Sequence, residues 1–260
     1  MKFRDKLWLW GQTEGSHHIN DAFKLPGQSR MTPLEGAYYF GIHNMCRVVM
    51  MGLPKLPFDQ DQMVLDTMEN VVWSIIGDGT SGKADYTDEI VRLSHKYPNI
   101  TGVIMDDIMR LPRMEIFSPE SYRVFKEKLK DAARPMPLWC TIYTHQLTEE
   151  RIPYIAECDV LTLWTWHQED LPDIRENLAK LRTLSGDQPI YGGLYMWDYG
   201  NKKEISDDLM QLQLDTYYEL LKNKEISGVI VCSNCCADVG LKASDMVRDW
   251  IREHGDEEIE

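Results

Sequence analysis

The sequence predicts an α/β fold, a single (β/α)8 TIM barrel that spans residues 1–260. Eight short apolar runs rich in β-forming residues recur along the chain, and a helical pattern follows each of them. The length of 260 residues agrees, because such barrels usually have about 250 residues. An open doubly wound sheet would need a glycine-rich phosphate loop after its first strand, and residues 11–15 (GQTEG) lack that spacing.

The eight predicted strands are nearly continuous apolar runs, as expected for parallel strands that are covered on both faces. They cover residues 6–11, 45–52, 70–77, 101–107, 137–145, 160–167, 189–198 and 227–233. Helix starts are predicted where Ser or Thr precedes proline or acidic residues, at Thr32, Thr87, Ser118, Thr148, Ser206 and Ser244. The helix before the eighth strand should bury one stripe at helical spacing, formed by Met210, Leu214, Tyr217 and Leu221.

The composition limits the partners of the chain. There are 28 Lys and Arg against 42 Asp and Glu, which gives a formal net charge of −14 and argues against nucleic acid or an anionic membrane. No apolar run is long enough to span a membrane. Residues 255–260 form an acidic tail that we expect to be solvated. We therefore expect a small-molecule or oligosaccharide ligand, and the oligomeric state stays open.

The six cysteines are too few for a disulfide scaffold in a chain of this length. As numbered, the chain is expected in the cytoplasm, and in the periplasm or outside the cell if a leader was removed. Cys232, Cys235 and Cys236 contain one C-x-x-C pair, whereas a closed zinc site normally needs a second pair. Buried, reduced thiols are therefore predicted there. No metal or cofactor is predicted.

Functional residues of such barrels lie at the C-terminal ends of the strands and in the loops that follow. These positions are rich in carboxylates, imidazoles and aromatic rings and poor in Lys and Arg, which favours a neutral polyhydroxylated ligand over a phosphorylated one. The predicted substrate-binding residues are Gln12, Glu14, His18, Asp78, Tyr143, His145, Trp166, His167, Tyr195, Trp197 and Asn234.

The end of the fourth strand is the most informative position. Asp106 and Asp107 follow three apolar residues in a strand that is otherwise committed to burial. A buried carboxylate is costly unless it is used or paired, so we expect a function for at least one of them. Neighbours on a strand point to opposite sides, and Asp106 shares its parity with Gly102 and Ile104. We therefore expect Asp106 at the barrel mouth and Asp107 in a backbone or turn contact.

The segment GVIMDDIMRLP resembles the fourth strand of glycoside hydrolases of barrel fold. The resemblance implies a hydrolase acting on carbohydrate, with a nucleophile or acid/base at Asp106 or Asp107. It also implies a second carboxylate from a later strand, for which Asp198 and Glu169 are the candidates. The Asn-Glu pair of one large clan and the D-x-x-D-x-D-x-E run of chitinase-like barrels are both absent, so neither mechanism can be transferred.

Two other functions stay open. His145 and His167, together with Asp106 or Asp238, could form the metal site of a barrel hydrolase or isomerase. Alternatively, the barrel binds sugar without turning it over, and a second carboxylate facing the fourth-strand acids would separate the enzyme from this binder. The long segment between Gln12 and Met31 has no clear periodicity, and we expect it to fold over the barrel mouth.

Overall fold

The computed structural model describes residues 1–77 and 84–259 and contains a closed barrel of eight parallel strands in sequence order, which confirms the predicted fold class. Pairing of the first and last strands, from Leu7 with Val229 to Trp10 with Cys232, closes the barrel. The strands are β1 (Leu7–Gly11), β2 (Asn44–Arg47), β3 (Asn70–Ile76), β4 (Ile100–Met105), β5 (Leu138–Tyr143), β6 (Val160–Trp164), β7 (Ile190–Tyr195) and β8 (Gly228–Cys232).

The second strand is shorter than predicted, and the prediction of strand over residues 48–52 is wrong. Met50 and Leu53 close a tight turn by exchanging two backbone hydrogen bonds of 2.9 Å. Met51 and Gly52, inside this turn, have φ values of 52° and 74°. A strand cannot continue through left-handed residues, although the apolar side chains in this stretch resemble those of a strand.

Helices connect the strands. They are α1 (Pro33–Phe40), α2 (Asp59–Leu65), α3 (Thr87–Ser94), α4 (Leu111–Met114), α5 (Pro119–Leu129), α6 (Ile152–Ile155), α7 (Ile174–Ser185), α8 (Asp207–Lys222), α9 (Asn234–Ala237) and α10 (Lys242–His254). Short 3₁₀ segments occur at Phe3–Lys6, Ser16–Asp21, Thr144–Gln146, Glu149–Arg151 and Gln168–Asp173.

Most of the predicted helix starts agree with the structure. Thr32 caps α1 in a reciprocal capping box with Glu35, and α5 and α8 begin directly after Ser118 and Ser206. Thr148 precedes a 3₁₀ turn, and α3 begins at Thr87 itself. The prediction at Ser244 is wrong, because α10 begins at Lys242 and the Ser244 hydroxyl donates to Ala237 O instead.

Large aromatic side chains fill the barrel interior. The ring centroid of Trp8 lies 5.2 Å from that of Trp139, which in turn lies 4.4 Å from that of Tyr191. Closer to the C-terminal ends of the strands, Trp10 and Trp164 pack edge to face at 5.2 Å. These layers close the barrel below its mouth, as in other barrels of this architecture.

The stripe predicted on α8 is confirmed, since its four residues are all buried: Met210, Leu214, Tyr217 and Leu221. Tyr217 also donates a hydrogen bond of 2.9 Å to Gly193 O on β7. No described helix is long and apolar enough to cross a membrane. All six cysteines are buried and free.

The acidic tail contacts the N-terminus. The Phe3 amide donates to Glu257 O at 2.8 Å, and the Ile259 amide donates to Met1 O at 2.9 Å. Asp256 is exposed and pairs with Arg4, whereas Ile259 is 8% exposed. The two ends of the described chain therefore form one structure beside β1, which we call the terminal clasp (residues 1–6 and 255–259).

Candidate active site

A cavity of about 410 Å³ opens at the C-terminal end of the barrel. Its lining comes from β1, β2, β4, β5, β6, β7 and β8 or from the loops that directly follow them. Trp10, Trp164 and Cys232 form its deep end, where the packed interior of the barrel begins. A concave site at this end of the barrel is the usual position of an active site in this fold.

Asp106 lines this cavity and is 6% exposed. Its amide continues the ladder of β4 by donating to Ile76 O at 2.9 Å. Gly102, which has the same parity, lies against the indole of Trp139 inside the barrel, so this parity is the inward one. Burial, and secondarily the charge of Asp106, raise the pKa of the Cys46 thiol across the barrel.

Asp107 lines the same cavity, because its backbone leaves the strand conformation. Its φ of 51° is left-handed, and its amide donates to Thr141 Oγ1 at 2.8 Å. In an extended strand the two acids would point to opposite sides. Asp107 Oδ1 accepts a hydrogen bond of 2.7 Å from Tyr143 Oη, and Oδ2 lies 3.1 Å from Arg110 Nη1. The Asp107 side chain is therefore held from two directions.

Five rings form a continuous curved wall around one side of the cavity, which we call the aromatic arc. Each ring contacts the next: Phe23 lies 5.2 Å from Tyr199, and Tyr199 lies 5.7 Å from Trp166 at an interplanar angle of 29°. Tyr143 lies 5.4 Å from Trp166 and 5.5 Å from His145, with the His145 ring stacked at 11°. Such faces can stack on the C–H surfaces of a sugar ring.

Burial sets the protonation of the phenols and imidazoles. It raises the pKa of Tyr143, Tyr195 and Tyr199 well above the usual value, with the charge of Asp107 adding to the effect at Tyr143. These phenols therefore stay protonated and can donate hydrogen bonds. Burial, with a smaller contribution from His167, lowers the pKa of His145. The imidazole of His145 is thus neutral at neutral pH.

A chain of buried polar side chains extends from Tyr199 of the arc. Gln12 Nε2 and His17 Nε2 are 2.9 Å apart, and His17 Nδ1 lies 3.4 Å from Tyr199 Oη. Burial, and secondarily His18, lower the pKa of His17 to about 3. Gln12 and His17 both line the cavity, and His17 is neutral there.

The segment between Gln12 and Met31, which we call the mouth segment, folds over the barrel mouth as expected. It brings Phe23 into the cavity wall. Three predicted substrate-binding residues hold it in place and do not line the cavity. His18 Nε2 accepts from Ser29 N at 3.0 Å, and Trp197 Nε1 donates to Phe23 O at 3.0 Å.

The third is Asn234, which contacts both ends of the mouth segment. Its Oδ1 accepts from Gln12 N at 2.8 Å, and its Nδ2 donates to Gln12 O at 3.0 Å and to Met31 O at 2.7 Å. Asp238 adds a carboxylate that accepts from the amides of Arg30 and Met31. These side chains bond to the backbone of the mouth segment and are not directed at a ligand.

The two later-strand acids do not reach the β4 acids. Asp198 is 1% exposed and accepts hydrogen bonds from the Asn201 amide, Asn201 Nδ2 and Gln168 Nε2, at 2.8–3.0 Å. Glu169 is exposed and accepts from Asn201 Nδ2 at 2.8 Å. Neither lines the cavity. They fix the loop after β7.

Some of the remaining predicted residues line the cavity and others do not. Tyr195 lines the cavity, whereas Glu14 is exposed outside it, and His167 packs against Gly200 without lining it. Asp78 lies outside the described residues. Over residues 1–77 and 84–259, no group of three His, Cys, Asp or Glu side chains could hold a metal ion. Of the two histidines of the metal hypothesis, His145 alone lines the cavity.

Several residues that line the cavity were not predicted from the sequence. Thr141 shares its parity with Tyr143 on β5, so the alternation of the strand could have identified it. Phe23 and Lys202 line the cavity from irregular segments, for which the sequence has no periodic signal. Arg110 lies three residues beyond Asp107 and reaches the cavity because of the left-handed turn there.

No protein-family model and no curated protein matches the sequence. Solved structures do match the fold. A putative α-L-fucosidase from Bacteroides thetaiotaomicron is 11% identical with a TM-score of 0.58, over 97% of this chain and 98% of its own. The GH99 endo-α-mannosidase from Bacteroides thetaiotaomicron is 9% identical with a TM-score of 0.57, over 96% and 97%.

A third similar structure is a GH5_18 protein from Bifidobacterium longum subsp. infantis, 11% identical with a TM-score of 0.56, over 98% of this chain and 80% of its own. At these identities the similarity shows a shared barrel fold. The architecture shared with these structures is the closed (β/α)8 barrel.

Proposed function

We propose that this protein is a glycoside hydrolase whose active site is the cavity at the barrel mouth. One observation carries the proposal: Asp106 and Asp107 line the same cavity, 6% and 8% exposed, beside a wall of aromatic rings. Two carboxyl groups beside a sugar-binding surface are the usual machinery of glycoside hydrolysis. The barrel shared with glycosidases supports the proposal as an analogy of fold.

In the proposed mechanism, one carboxyl group protonates the leaving glycosidic oxygen while the other stabilises or attacks the anomeric carbon. A water molecule then bonds to that carbon, releases the sugar and returns a proton to the first carboxylate. Tyr143 and Arg110 fix both oxygens of Asp107, which suits the carboxylate that must stay in one place beside that carbon. Proton transfer then belongs to Asp106, the other carboxyl group that lines the cavity. The arc stacks on the sugar, and the Tyr195 hydroxyl hydrogen-bonds one of its hydroxyl groups.

The test is a screen of para-nitrophenyl α- and β-glycosides of hexoses, pentoses and deoxyhexoses, repeated with Asp106→Asn and Asp107→Asn. Each variant should lower kcat/KM by about 10²–10⁴-fold, the usual contribution of a general acid or base. Asp215→Asn, on the exposed face of α8, is the matched control and should equal the wild type. Hydrolysis that survives both cavity substitutions would refute the assignment.

A barrel that binds sugar without hydrolysis is the second candidate. One observation favours it: within the described residues, both carboxylates of the cavity come from β4, and none comes from a facing strand. A binder would retain sugar affinity in calorimetry while hydrolysing none of the glycosides. In that case Asp106→Asn and Asp107→Asn would change affinity alone.

A further inference from the structure

The two acids lie deep in the cavity. Asp106 and Asp107 are at most 8% exposed, and three aromatic neighbours in the same cavity are as deeply buried: Tyr143, Tyr195 and Tyr199. A carbohydrate that reacts at these acids must therefore insert a sugar unit below the rim. A sugar in the middle of a polymer cannot do so without bending both flanking units out of the cavity.

In the described part of the chain, residues at the ends of seven of the eight strands line the cavity around the acids. A continuous chain needs two exits from the site, on opposite sides. On one side of the cavity, the mouth segment and the aromatic arc, which runs from Phe23 to His145, block the exit of such a chain. A cavity of about 410 Å³ also lies toward the small end of ligand sites, which span about 300–1,000 Å³.

We propose that the cavity admits only the end of a carbohydrate chain, a terminal sugar or disaccharide, and that the enzyme is therefore exo-acting. This inference rests on the proposed function and adds the class of substrate to it. It also separates the chain from the endo-acting mannosidase that shares its fold.

Phe23 determines this specificity. It is the first ring of the arc and the only arc residue that comes from the mouth segment. Its ring contacts those of Tyr199 at 5.2 Å and His17 at 5.0 Å, and its carbonyl is tied to Trp197 Nε1. These contacts set the ring as a fixed wall, so that a chain passing beyond the terminal units would collide with it.

The decisive experiment compares two classes of substrate. We expect aryl monosaccharides or disaccharides to be hydrolysed, whereas dye-linked insoluble glucan, mannan and xylan release no coloured fragments. Release of coloured fragments requires cleavage of internal bonds and would overturn the inference while leaving the proposed function intact. Failure to hydrolyse any substrate would instead overturn the proposed function, and sugar binding that persists would then favour the barrel that binds without hydrolysis.

Binding gives a readout that does not depend on turnover. Asp106→Asn is titrated with cello-, manno- and xylo-oligosaccharides, from monosaccharide to hexasaccharide. Affinity should stop rising at the disaccharide. A further rise of about tenfold or more toward the hexasaccharide would show a groove that holds a continuous chain and would overturn the inference.

Phe23→Ala tests the wall itself. Loss of one aromatic face should raise KM for aryl glycosides about two- to tenfold with kcat little changed, and release from the dyed polymers should appear. Tyr38→Ala, at a ring that is 90% exposed on α1, is the matched control and should behave as the wild type. A Phe23→Ala enzyme with unchanged KM and unchanged polymer specificity would contradict the role of Phe23.

Discussion

At the scale of single residues, the geometry of Asp107 depends on its neighbours more than on its own strand. The left-handed backbone turns the side chain into the cavity, and Tyr143 and Arg110 hold its two oxygens. A left-handed aspartate is uncommon and costs conformational energy, which the surrounding contacts must offset. Such a position is typical of functional sites.

Tyr143→Phe tests this arrangement, because it removes the hydroxyl and keeps the ring. The lost hydrogen bond to a charged carboxylate is worth about 1.5–3 kcal/mol, so kcat should fall about ten- to a hundredfold while KM changes little. The matched control is Tyr217→Phe, which removes a buried phenol that bonds to Gly193 O outside the site. It should lower the free energy of unfolding by about 1 kcal/mol and leave kcat unchanged. A Tyr143→Phe enzyme with wild-type kcat would contradict the positioning role.

His17 makes the free energy of unfolding depend on pH. Its pKa is about 3 in the folded protein, against an ordinary value of 6.5. Between these pH values the unfolded chain takes up a proton that the folded chain does not. The stability due to the neutral imidazole is therefore complete above pH 6.5 and falls by up to about 1.4 kcal/mol per pH unit below it.

Urea unfolding from pH 7.5 down to pH 5 measures this slope. In His17→Gln the slope below pH 6.5 should be shallower than in the wild type, whatever the absolute stability of the variant. Equal slopes would show that His17 is not buried and neutral in the folded protein.

The position of an individual site residue could be predicted only where the alternation of a strand shows to which side its side chain points. Asp106 follows from parity on β4, whereas the left-handed turn at Asp107 has no signal in the residues that surround it. Asp198 and Asn234 stand at strand ends like the cavity residues, but Asp198 bonds to Asn201 in its own loop and to Gln168, and Asn234 bonds to the backbone of the mouth segment. A rule that selects strand ends cannot separate a residue that binds ligand from one that fixes a loop.

At the scale of elements, the mouth segment is held by side chains rather than by regular secondary structure. Asn234 supplies three hydrogen bonds to its two ends, from a short helix that directly follows β8. Irregular backbone buried at a cavity needs such partners, because an unpaired buried amide is costly. The position of Phe23 in the cavity wall therefore depends on Asn234 as well as on Trp197.

Asn234→Ala should loosen this segment. It leaves the buried Gln12 amide without its acceptor, so the free energy of unfolding should fall by roughly 2–4 kcal/mol. Hydrogen exchange should quicken across the mouth segment more than in the barrel strands. Asn223→Ala, at an exposed residue after α8, is the control and should change neither quantity. Uniformly faster exchange in all strands would mean that Asn234 supports the whole barrel instead.

The elements themselves were predictable, because each parallel strand is an apolar run bounded by turn residues. The ends of the strands were not. Residues 48–52 continue the apolar pattern beyond Arg47, yet a turn closed by Met50 and Leu53 stops the ladder. A hydrophobic pattern indicates that residues are buried. In this barrel the covering loops are buried as well, so the pattern does not show where a strand ends.

At the scale of the whole molecule, the cavity exists only when the barrel is closed. Its lining comes from strands that are far apart in sequence, and the pairing of β1 with β8 brings the first and last of them together. The terminal clasp lies beside this closing pair. Phe3 packs edge to face against Trp250 of α10 at 5.1 Å, and Arg4 reaches both Asp256 and Gly41 O.

Arg4→Ala should therefore destabilise the entire barrel and not the ends of the chain alone. The Arg4 guanidinium is 18% exposed and its partner Asp256 is 68% exposed, so the expected loss is modest, on the order of 1–2 kcal/mol of unfolding free energy. Near- and far-ultraviolet circular dichroism in urea should shift to lower midpoints together, with an unchanged slope. Lys180→Ala, at an exposed residue of α7, should leave both midpoints in place. Because the barrel is closed by the pairing of β1 with β8, we expect it to lose its cavity in one cooperative step. Two separate transitions in Arg4→Ala would contradict this expectation and show that the clasp unfolds on its own.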